Sequence, residues 1–202
     1  MKQNDSENST QSSNDERREF FRVEDRVQLK FIRCSFEQVE HTPAETLFEH
    51  STVKSLTQEL RRIDHDNQHL LRSLTENHRS LELYLKSINR KIDLVASQLC
   101  AAVNENENKK RKLVTLSESG LAFLHPELVA EGDYLALELT LLPSYSSLFL
   151  YAQVISCVQG PGKYRVGIQF LELADIDRQA LAKQVMHCQL VQKRMSQNDD
   201  VL

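Results

Sequence analysis

The chain has 202 residues, of which 40% are hydrophobic and 27% are charged, as in ordinary soluble proteins. Its net charge of −4 argues against general nucleic-acid binding, because nucleic acids select basic surfaces. No stretch reaches the roughly eighteen consecutive apolar residues of a membrane span, and the N-terminus lacks the apolar region of a signal peptide. We therefore expect a cytoplasmic protein without membrane insertion and without a nucleic-acid partner.

The N-terminal region divides into a polar tail and a first strand. Residues 1–15 are rich in Asn, Ser and Gln, which predicts a disordered tail. An arginine-rich segment follows, and Val27, Leu29 and Phe31 then alternate with polar residues, which predicts a β-strand within 16–40. The arginines are interleaved with glutamates, so a merely solvated, salt-bridged segment is an alternative interpretation.

Residues 42–105 show the pattern of one long coiled-coil helix. Fifteen positions between Val53 and Ala102 follow one another at steps of three and four, and thirteen of them are apolar. Thr42 is expected to cap this helix, with Pro43 at its first position and Glu45 completing a capping box. The predicted oligomerisation seam consists of Leu56, Leu60, Ile63, Asn67, Leu70, Leu74, Leu81, Leu85, Ile88, Ile92, Val95 and Leu99.

The length of this helix predicts self-association. The seam spans roughly 75 Å and no second amphipathic helix of similar length is evident, so we expect it to pack on other chains rather than on its own. Asn67 favours a parallel dimer, whereas the Leu and Ile positions favour four strands, and we predict a homotetramer with a homodimer as the alternative. Two successive steps of four from Asn77 to Leu85 predict a local unwinding of the supercoil.

After the long helix the sequence predicts a small antiparallel β-barrel. Short β-like segments occur at 112–115, 121–124, 134–142, 148–158 and 164–170, and turns that contain Gly lie at 117–120, 131–133 and 159–162. Asp175 or Asp177 is expected to begin a C-terminal helix that covers one barrel opening. The fold class is therefore α+β, mainly β, with residues 109–195 completing the barrel and its helix and residues 196–202 frayed.

No motif points to catalysis or to a metal. The sequence contains no nucleophile elbow, phosphate-binding loop or dinucleotide-binding motif, so we expect neither an enzyme nor a cofactor. His65 and His69 have helical metal-pair spacing without a third ligand, which favours an exposed polar face. The four cysteines form no CxxC pair and are expected to be reduced: Cys34, Cys100, Cys157 and Cys188.

Several segments resemble the PilZ domain family. The sequence ERREFFRV at 16–23 resembles its RxxxR motif, with Arg18 and Arg22 as the spaced pair and Arg17 before them. The sequence TLSESGLAF at 115–123 resembles the second motif, [D/N]xSxxG followed by an apolar strand, with Thr in the first position. Residues 164–170 are similar to the closing strand of that barrel. The long helix resembles the insertion of an atypical, tetrameric PilZ subgroup, between the first and second strands.

The resemblance implies a bacterial signalling protein that binds the second messenger cyclic di-GMP. Arginine suits this ligand, because its forked donors fit phosphates and guanine edges and its flat face can stack on a base. We expect the arginine arm to become ordered on binding and to re-aim residues 1–25 toward an unknown downstream protein. The implied binding residues are Arg17, Arg18, Arg22, Thr115, Ser117 and Gly120.

Two features leave a second hypothesis open. Thr115 offers no carboxylate or carboxamide where the family has Asp or Asn, which reduces or removes affinity for a guanine edge. Ser117 to Gly120 also suit a simple hairpin turn. The alternative function is a ligand-blind oligomeric scaffold for protein–protein interaction.

Overall fold

The centre of the molecule is a closed barrel of six antiparallel strands in the order β1-β2-β3-β6-β5-β4. This computed structural model describes residues 21–49, 52–103 and 111–199. The predicted mainly β fold is confirmed, and the helical insertion lies between the first and second strands as expected. The strands are β1 (Val23–Cys34), β2 (Arg111–Leu116), β3 (Gly120–His125), β4 (Tyr134–Leu141), β5 (Ser146–Gln159) and β6 (Tyr164–Leu171).

The barrel interior is filled by the inward side chains of alternate strand residues. Val27, Leu116 and Leu148 are completely buried, and Phe123 is 2% exposed. Successive side chains of a strand point to opposite faces, so the residues between them face outward. This alternation fixes which residues of β2, β3 and β6 line the outer surface.

The C-terminal helix α4 (Asp175–Asp199) packs its apolar side into the barrel core, as the sequence predicts. Asp175 and Asp177 lie in its first turn, where carboxylates interact favourably with the helix dipole. Leu181 and Val185 are buried with the interior residues of the barrel. The helix therefore belongs to the same core as the six strands.

A short helix and a turn precede the insertion, and the predicted helix start at Thr42 is wrong. Helix α1 (Phe36–His41) is capped by Ser35, which forms a capping box with Gln38. The sequence analysis did not predict this helix. A 3-10 turn (Ala44–Leu47) follows. The hydroxyl of Tyr151 lies 2.8 Å from the Thr42 carbonyl oxygen. Packing of this segment against the barrel thus keeps it out of the long helix.

The prediction of one long helix is also wrong, because the insertion is a helical hairpin. Helix α2 (Thr52–Asn77) ends before His78, and helix α3 (Arg79–Val103) then runs back along it. The amide of Asn89 in α3 donates to the carboxylate of Asp64 in α2 over 3.5 Å, although 25 residues separate them. The chain reverses at His78, within the two steps of four from Asn77 to Leu85 that predicted a local unwinding. The insertion thus supplies its own second helix.

The hairpin rests on the barrel through α2. Arg61 donates to the Ser147 carbonyl oxygen at the start of β5 over 2.7 Å. Just before α2, the ring of Phe48 lies 5.8 Å from that of Phe149. Part of the insertion is therefore buried against its own barrel, which the sequence analysis did not anticipate.

Some predictions concern residues outside the described ranges. These are the disordered tail at 1–15, the positions of Arg17 and Arg18, the end of the long helix after residue 103 and residues 200–202 of the frayed segment predicted at 196–202. The first four residues of that segment are helical, because α4 ends at Asp199. Among the helices that the structure describes, none has both the length and the apolar character needed to cross a membrane.

Candidate functional site

The strand register places the lead-in arginine beside the turn of the second motif. Val23, the first residue of β1, pairs with Leu116, and Glu24 pairs with Thr115. Arg22 directly precedes this ladder and is exposed, so it lies at the end of the barrel where Ser117 follows β2. Two motifs separated by some ninety residues of sequence therefore meet.

The turn after β2 is held by its own hydrogen bonds. The Ser117 amide and hydroxyl both donate to the Gly120 carbonyl oxygen, over 2.9 and 3.0 Å. The Phe170 amide of β6 donates to the Ser119 carbonyl oxygen over 2.8 Å. Ser117 is only 5% exposed, and its hydroxyl hydrogen is already donated within the turn. Toward a ligand this hydroxyl can therefore act only as a hydrogen-bond acceptor.

Gly120 has a structural reason for being glycine. A Cβ atom at this position would collide with the carbonyl oxygen of Ile168 in the neighbouring strand β6. Gly120 pairs with Gln169 in the β3–β6 ladder, and it does not have a positive φ. Gly120 therefore permits a close approach of the barrel's own backbone and is not required for an unusual backbone dihedral angle.

Thr115 lies on the outer surface of the barrel. Its neighbours Val114 and Leu116 are buried in the interior, so the Thr115 side chain points outward, where it is half-buried. Its cross-strand partners are Glu24 on one side and Ala122 on the other. Thr115, the Ser117 turn and Arg22 thus share one end and one face of the barrel.

A flat strip of small residues continues from Thr115 across the sheet. Ala122 pairs with Gly167 of β6, and Gly167 pairs with Ser156 of β5. A Cβ atom at Gly167 would lie 2.5 Å from the Ser156 hydroxyl oxygen. Since neighbouring strands are about 4.8 Å apart, Thr115, Ala122 and Gly167 form a row of small residues roughly 10 Å wide, in which Thr115 and Ala122 are half-buried and Gly167 is buried beside Ser156. We call these three residues the platform.

The sequence analysis missed two arginines that border this platform. Arg26 is two residues beyond Glu24 on β1, and Arg165 is two residues before Gly167 on β6, so both face outward. None of the ion pairs within the described residues involves Arg22, Arg26 or Arg165. Only the strand register reveals them, because both lie outside the two motifs.

The outer face of the hairpin is a second candidate site. Leu56, Ile63 and Leu70 recur every seven residues along α2 and are 42%, 47% and 52% exposed. Asn67 is exposed on the same helix, and its amide donates to the Ile63 carbonyl oxygen. On α3 the exposed seam residues are Leu81, Ile92, Val95 and Leu99.

Along α2 and α3, the residues that are most buried within the chain are largely polar. Thr57 and Glu82 are 7% and 6% exposed, and Cys100 is 2% exposed. Of the remaining seam residues, Leu60, Leu85 and Ile88 are half-buried, and the side chain of Leu74 lies outside the described ones. Folding the insertion in two therefore leaves most of the predicted apolar seam exposed, as on a surface that receives a partner.

A protein-family model described as PilZ domain matches residues 88–187. The matched stretch runs from within α3 through β2 to β6 and into α4, and it leaves β1 and the arginine segment outside. No curated protein matches the chain.

The fold is similar to several solved structures. A tetrameric PilZ domain protein from Xanthomonas campestris, described as self-assembled via a helical bundle, is 17% identical with a TM-score of 0.50, covering 88% of this chain and 91% of that chain. YcgR from Escherichia coli in complex with c-di-GMP is 22% identical with a TM-score of 0.36, over 46% and 40% of the two chains. The inhibitor of motility MotI from Bacillus subtilis is 23% identical with a TM-score of 0.35, over 42% of each chain.

Strand β1 lies outside the stretch that the family model matches. In the structure it pairs with both β2 and β4 and thereby closes the barrel. The family model and the closed barrel agree on the same core of strands, and the chain accordingly contains a PilZ domain match over residues 88–187.

Proposed function

We propose that the protein is an oligomeric cyclic di-GMP receptor that acts as an adaptor rather than as an enzyme. The observation that carries this proposal is the register between β1 and β2, which brings Arg22 beside the Ser117 turn and Thr115. A ligand with two phosphates and two guanines needs cationic forks and flat surfaces close together. This end of the barrel offers both.

The proposed binding mode divides the ligand between arm and barrel. Arg17, Arg18 and Arg22 contact phosphates and guanine edges from the arm, and Thr115 meets the ligand from the barrel surface. One guanine lies over Ala122 and Gly167, beside the Ser156 hydroxyl. Ser117 and Gly120 stabilise the turn at the edge of this surface.

The proposed signal is a change in the orientation of the arginine arm relative to the barrel. Arg22 is exposed and immediately precedes β1, so a ligand that bridges it to the platform fixes the direction in which residues 1–22 leave the barrel. The downstream partner then binds the re-aimed arm. No bond is made or broken in this mechanism.

We further propose that four chains assemble through their hairpins in the cytoplasm. The exposed leucines and isoleucines of α2 and α3 support this proposal, since a monomer would leave them in water. The Xanthomonas protein of similar fold is described as a tetramer with a helical bundle. A dimer of hairpins is the alternative assembly.

Isothermal titration of the purified protein with cyclic di-GMP tests the receptor function. We expect measurable heat at tens of micromolar ligand or below, and an affinity at least about tenfold weaker in Arg22→Ala, because a charge-assisted phosphate contact is lost. Arg178→Ala is the matched control, since Arg178 is an exposed arginine on α4. Absence of heat with the wild-type protein would refute the proposal.

The second candidate function is a ligand-blind scaffold. Two observations favour it: Thr115 stands where the family has Asp or Asn, and the Ser117 hydroxyl is already bonded within its turn. The titration separates the two functions when it is paired with light scattering. A stable oligomer that gives no heat with any cyclic dinucleotide is the result that the scaffold predicts.

A further inference from the structure

We propose that helix α4 couples assembly of the hairpins to occupancy of the ligand site. This inference rests on the proposed function, because it describes how that site is regulated. Its basis is a set of polar contacts, part-buried around Arg61 and Gln184 and exposed at Gln192, that join α4 to α2 at one end and to β1, beside Thr115, at the other.

The first end is a cluster around Arg61 of α2. Its guanidinium donates to the Ser147 carbonyl oxygen over 2.7 Å and to an Asp177 carboxylate oxygen, in the first turn of α4, over 3.4 Å. The two side chains are only 19% and 17% exposed. Burial lowers the pKa of Arg61 and raises that of Asp177, and each charge partly offsets this effect on the other. A half-broken pair would leave a buried charge uncompensated, so its two members move together.

The second end joins α4 to the start of β1. The Gln184 amide, 6% exposed, donates to an Asp25 carboxylate oxygen and to the Leu142 carbonyl oxygen, each over 2.7 Å. One strand position earlier, Glu24 accepts a hydrogen bond from the Gln192 amide at its backbone carbonyl over 3.4 Å. Glu24 is the cross-strand partner of Thr115 and lies two residues after Arg22.

The helix between these ends is uninterrupted. Asp177 and Gln192 lie fifteen residues apart within Asp175–Asp199, a distance of roughly 22 Å along the axis. No Gly or Pro occurs in this helix, so it transmits a displacement of its first turn rather than absorbing it. A shift of α2 that moves Arg61 therefore reaches Asp25 and Glu24.

Assembly is the event that sets the position of α2. Covering the outer face of the hairpin with partner chains fixes α2, and with it the contact between Arg61 and Asp177. The start of β1 is then held in the geometry that the ligand needs, so the assembled protein binds cyclic di-GMP more tightly than the separated chain. Because such coupling is reciprocal, the ligand also strengthens the assembly.

A cycle of variants tests the coupling. Replacing Ile63 and Leu70 by Asp separates the chains, and the affinity for cyclic di-GMP is compared with that of the assembled protein. We expect separation to weaken binding at least about fivefold in the otherwise unchanged protein. With Arg61→Met and Asp177→Asn present, which remove both charges of the pair at once, the effect of separation falls below about twofold.

The matched control replaces a neighbouring pair that does not contact α4. Arg62 and Glu59 form an exposed ion pair within α2, so Arg62→Met with Glu59→Gln should leave the fivefold effect in place. The proposal would be overturned if separating the chains weakened cyclic di-GMP binding by the same factor with and without Arg61 and Asp177. So would wild-type protein that binds the ligand equally well in both states of assembly.

A measurement without ligand distinguishes failure of the coupling from failure of the proposed function. Amide hydrogen exchange is followed in residues 23–28 of β1 and, as an internal reference, in residues 135–141 of β4. We expect exchange in 23–28 to become at least about fivefold faster in the Arg61→Met, Asp177→Asn protein, with the reference and the Arg62 control unchanged. Unchanged exchange in 23–28 refutes the coupling even where no ligand binds.

Discussion

Glu24 of β1 lies directly opposite Thr115 of β2 in the barrel ladder, and this single register relationship joins the arginine arm to the second motif. The helical hairpin intervenes between the two strands in sequence, yet it leaves their pairing intact. The proposed ligand site can therefore be tested by substitutions on the barrel surface that leave the residues of the hairpin unchanged.

The first prediction concerns the departure from the family pattern at Thr115. We expect Thr115→Asn to tighten cyclic di-GMP binding about tenfold, because a carboxamide can donate to and accept from a guanine edge at once. Titration of both proteins measures the change. Equal or weaker binding by the Asn variant would show that position 115 does not contact a base.

The second prediction concerns the platform. Ala122→Leu adds three carbons where a base is proposed to lie, so we expect binding to weaken at least about tenfold. Leu124→Ala is the control, since Leu124 is also an outward residue of β3, one outward position further along the strand. Both changes are at the surface, and unfolding in urea should move by no more than about 0.5 kcal/mol. Unchanged affinity in Ala122→Leu would remove the platform from the site.

The third prediction concerns assembly. Replacing Ile63 and Leu70 by Asp should reduce the mass seen by light scattering from four chains to one, because both side chains are about half exposed in the single chain and their loss removes apolar surface from the proposed interface. Arg72→Asp changes the charge at another exposed position of α2 and should leave the mass unchanged. A wild-type protein with the mass of one chain would contradict the assembly proposal.

The fourth prediction concerns Gly120. We expect Gly120→Ala to destabilise the protein by about 2 kcal/mol or more, because the new Cβ collides with the backbone of β6, which cannot move without disturbing the barrel. Gly160→Ala is the control, since its Cβ would meet only the Lys163 carbonyl oxygen at 3.3 Å. Urea unfolding measures both. Equal stability of the two variants would argue against the steric role.

The fifth prediction concerns pH. Burial lowers the pKa of His125, and Lys112 and Arg33 lower it further while Glu127 opposes them. The unfolded chain therefore takes up this proton near pH 6.5, before the folded protein does. The neutral ring contributes stability above that pH, and the contribution is lost as the pH falls through the folded pKa.

The His125→Phe variant isolates this effect. The Phe ring retains the packing against Phe31, whose centroid is 5.0 Å from that of His125. We expect the free energy of unfolding to fall less between pH 7 and pH 5 in the variant than in the wild-type protein. His69→Gln, an exposed change on α2, serves as the control. Parallel pH dependence of His125→Phe and the wild-type protein would contradict the prediction.

The sequence predicted the barrel well, because several of its strands alternate apolar and polar residues and most of its turns carry Gly. The predicted β6 at 164–170 differs from Tyr164–Leu171 by one residue, and the C-terminal helix begins at Asp175, the earlier of its two predicted starts. These elements depend on local patterns that tertiary packing does not override.

The hairpin and the platform were less accessible to sequence analysis. A seam of apolar residues looks the same whether its helix continues or reverses, and the reversal at His78 carries no Gly or Pro. The capping box of Ser35 and Gln38 was a usable signal for α1 and was missed. Ala122 and Gly167 become neighbours only through strand register, which no single segment specifies.

The most direct measurement of the central claim is a crystal structure of the protein with cyclic di-GMP. The account predicts a phosphate oxygen about 3 Å from the guanidinium of Arg22, a guanine stacked over Ala122 and Gly167, and Thr115 in contact with the ligand. A ligand bound elsewhere on the chain, or crystals grown at saturating ligand with this surface empty, would contradict it.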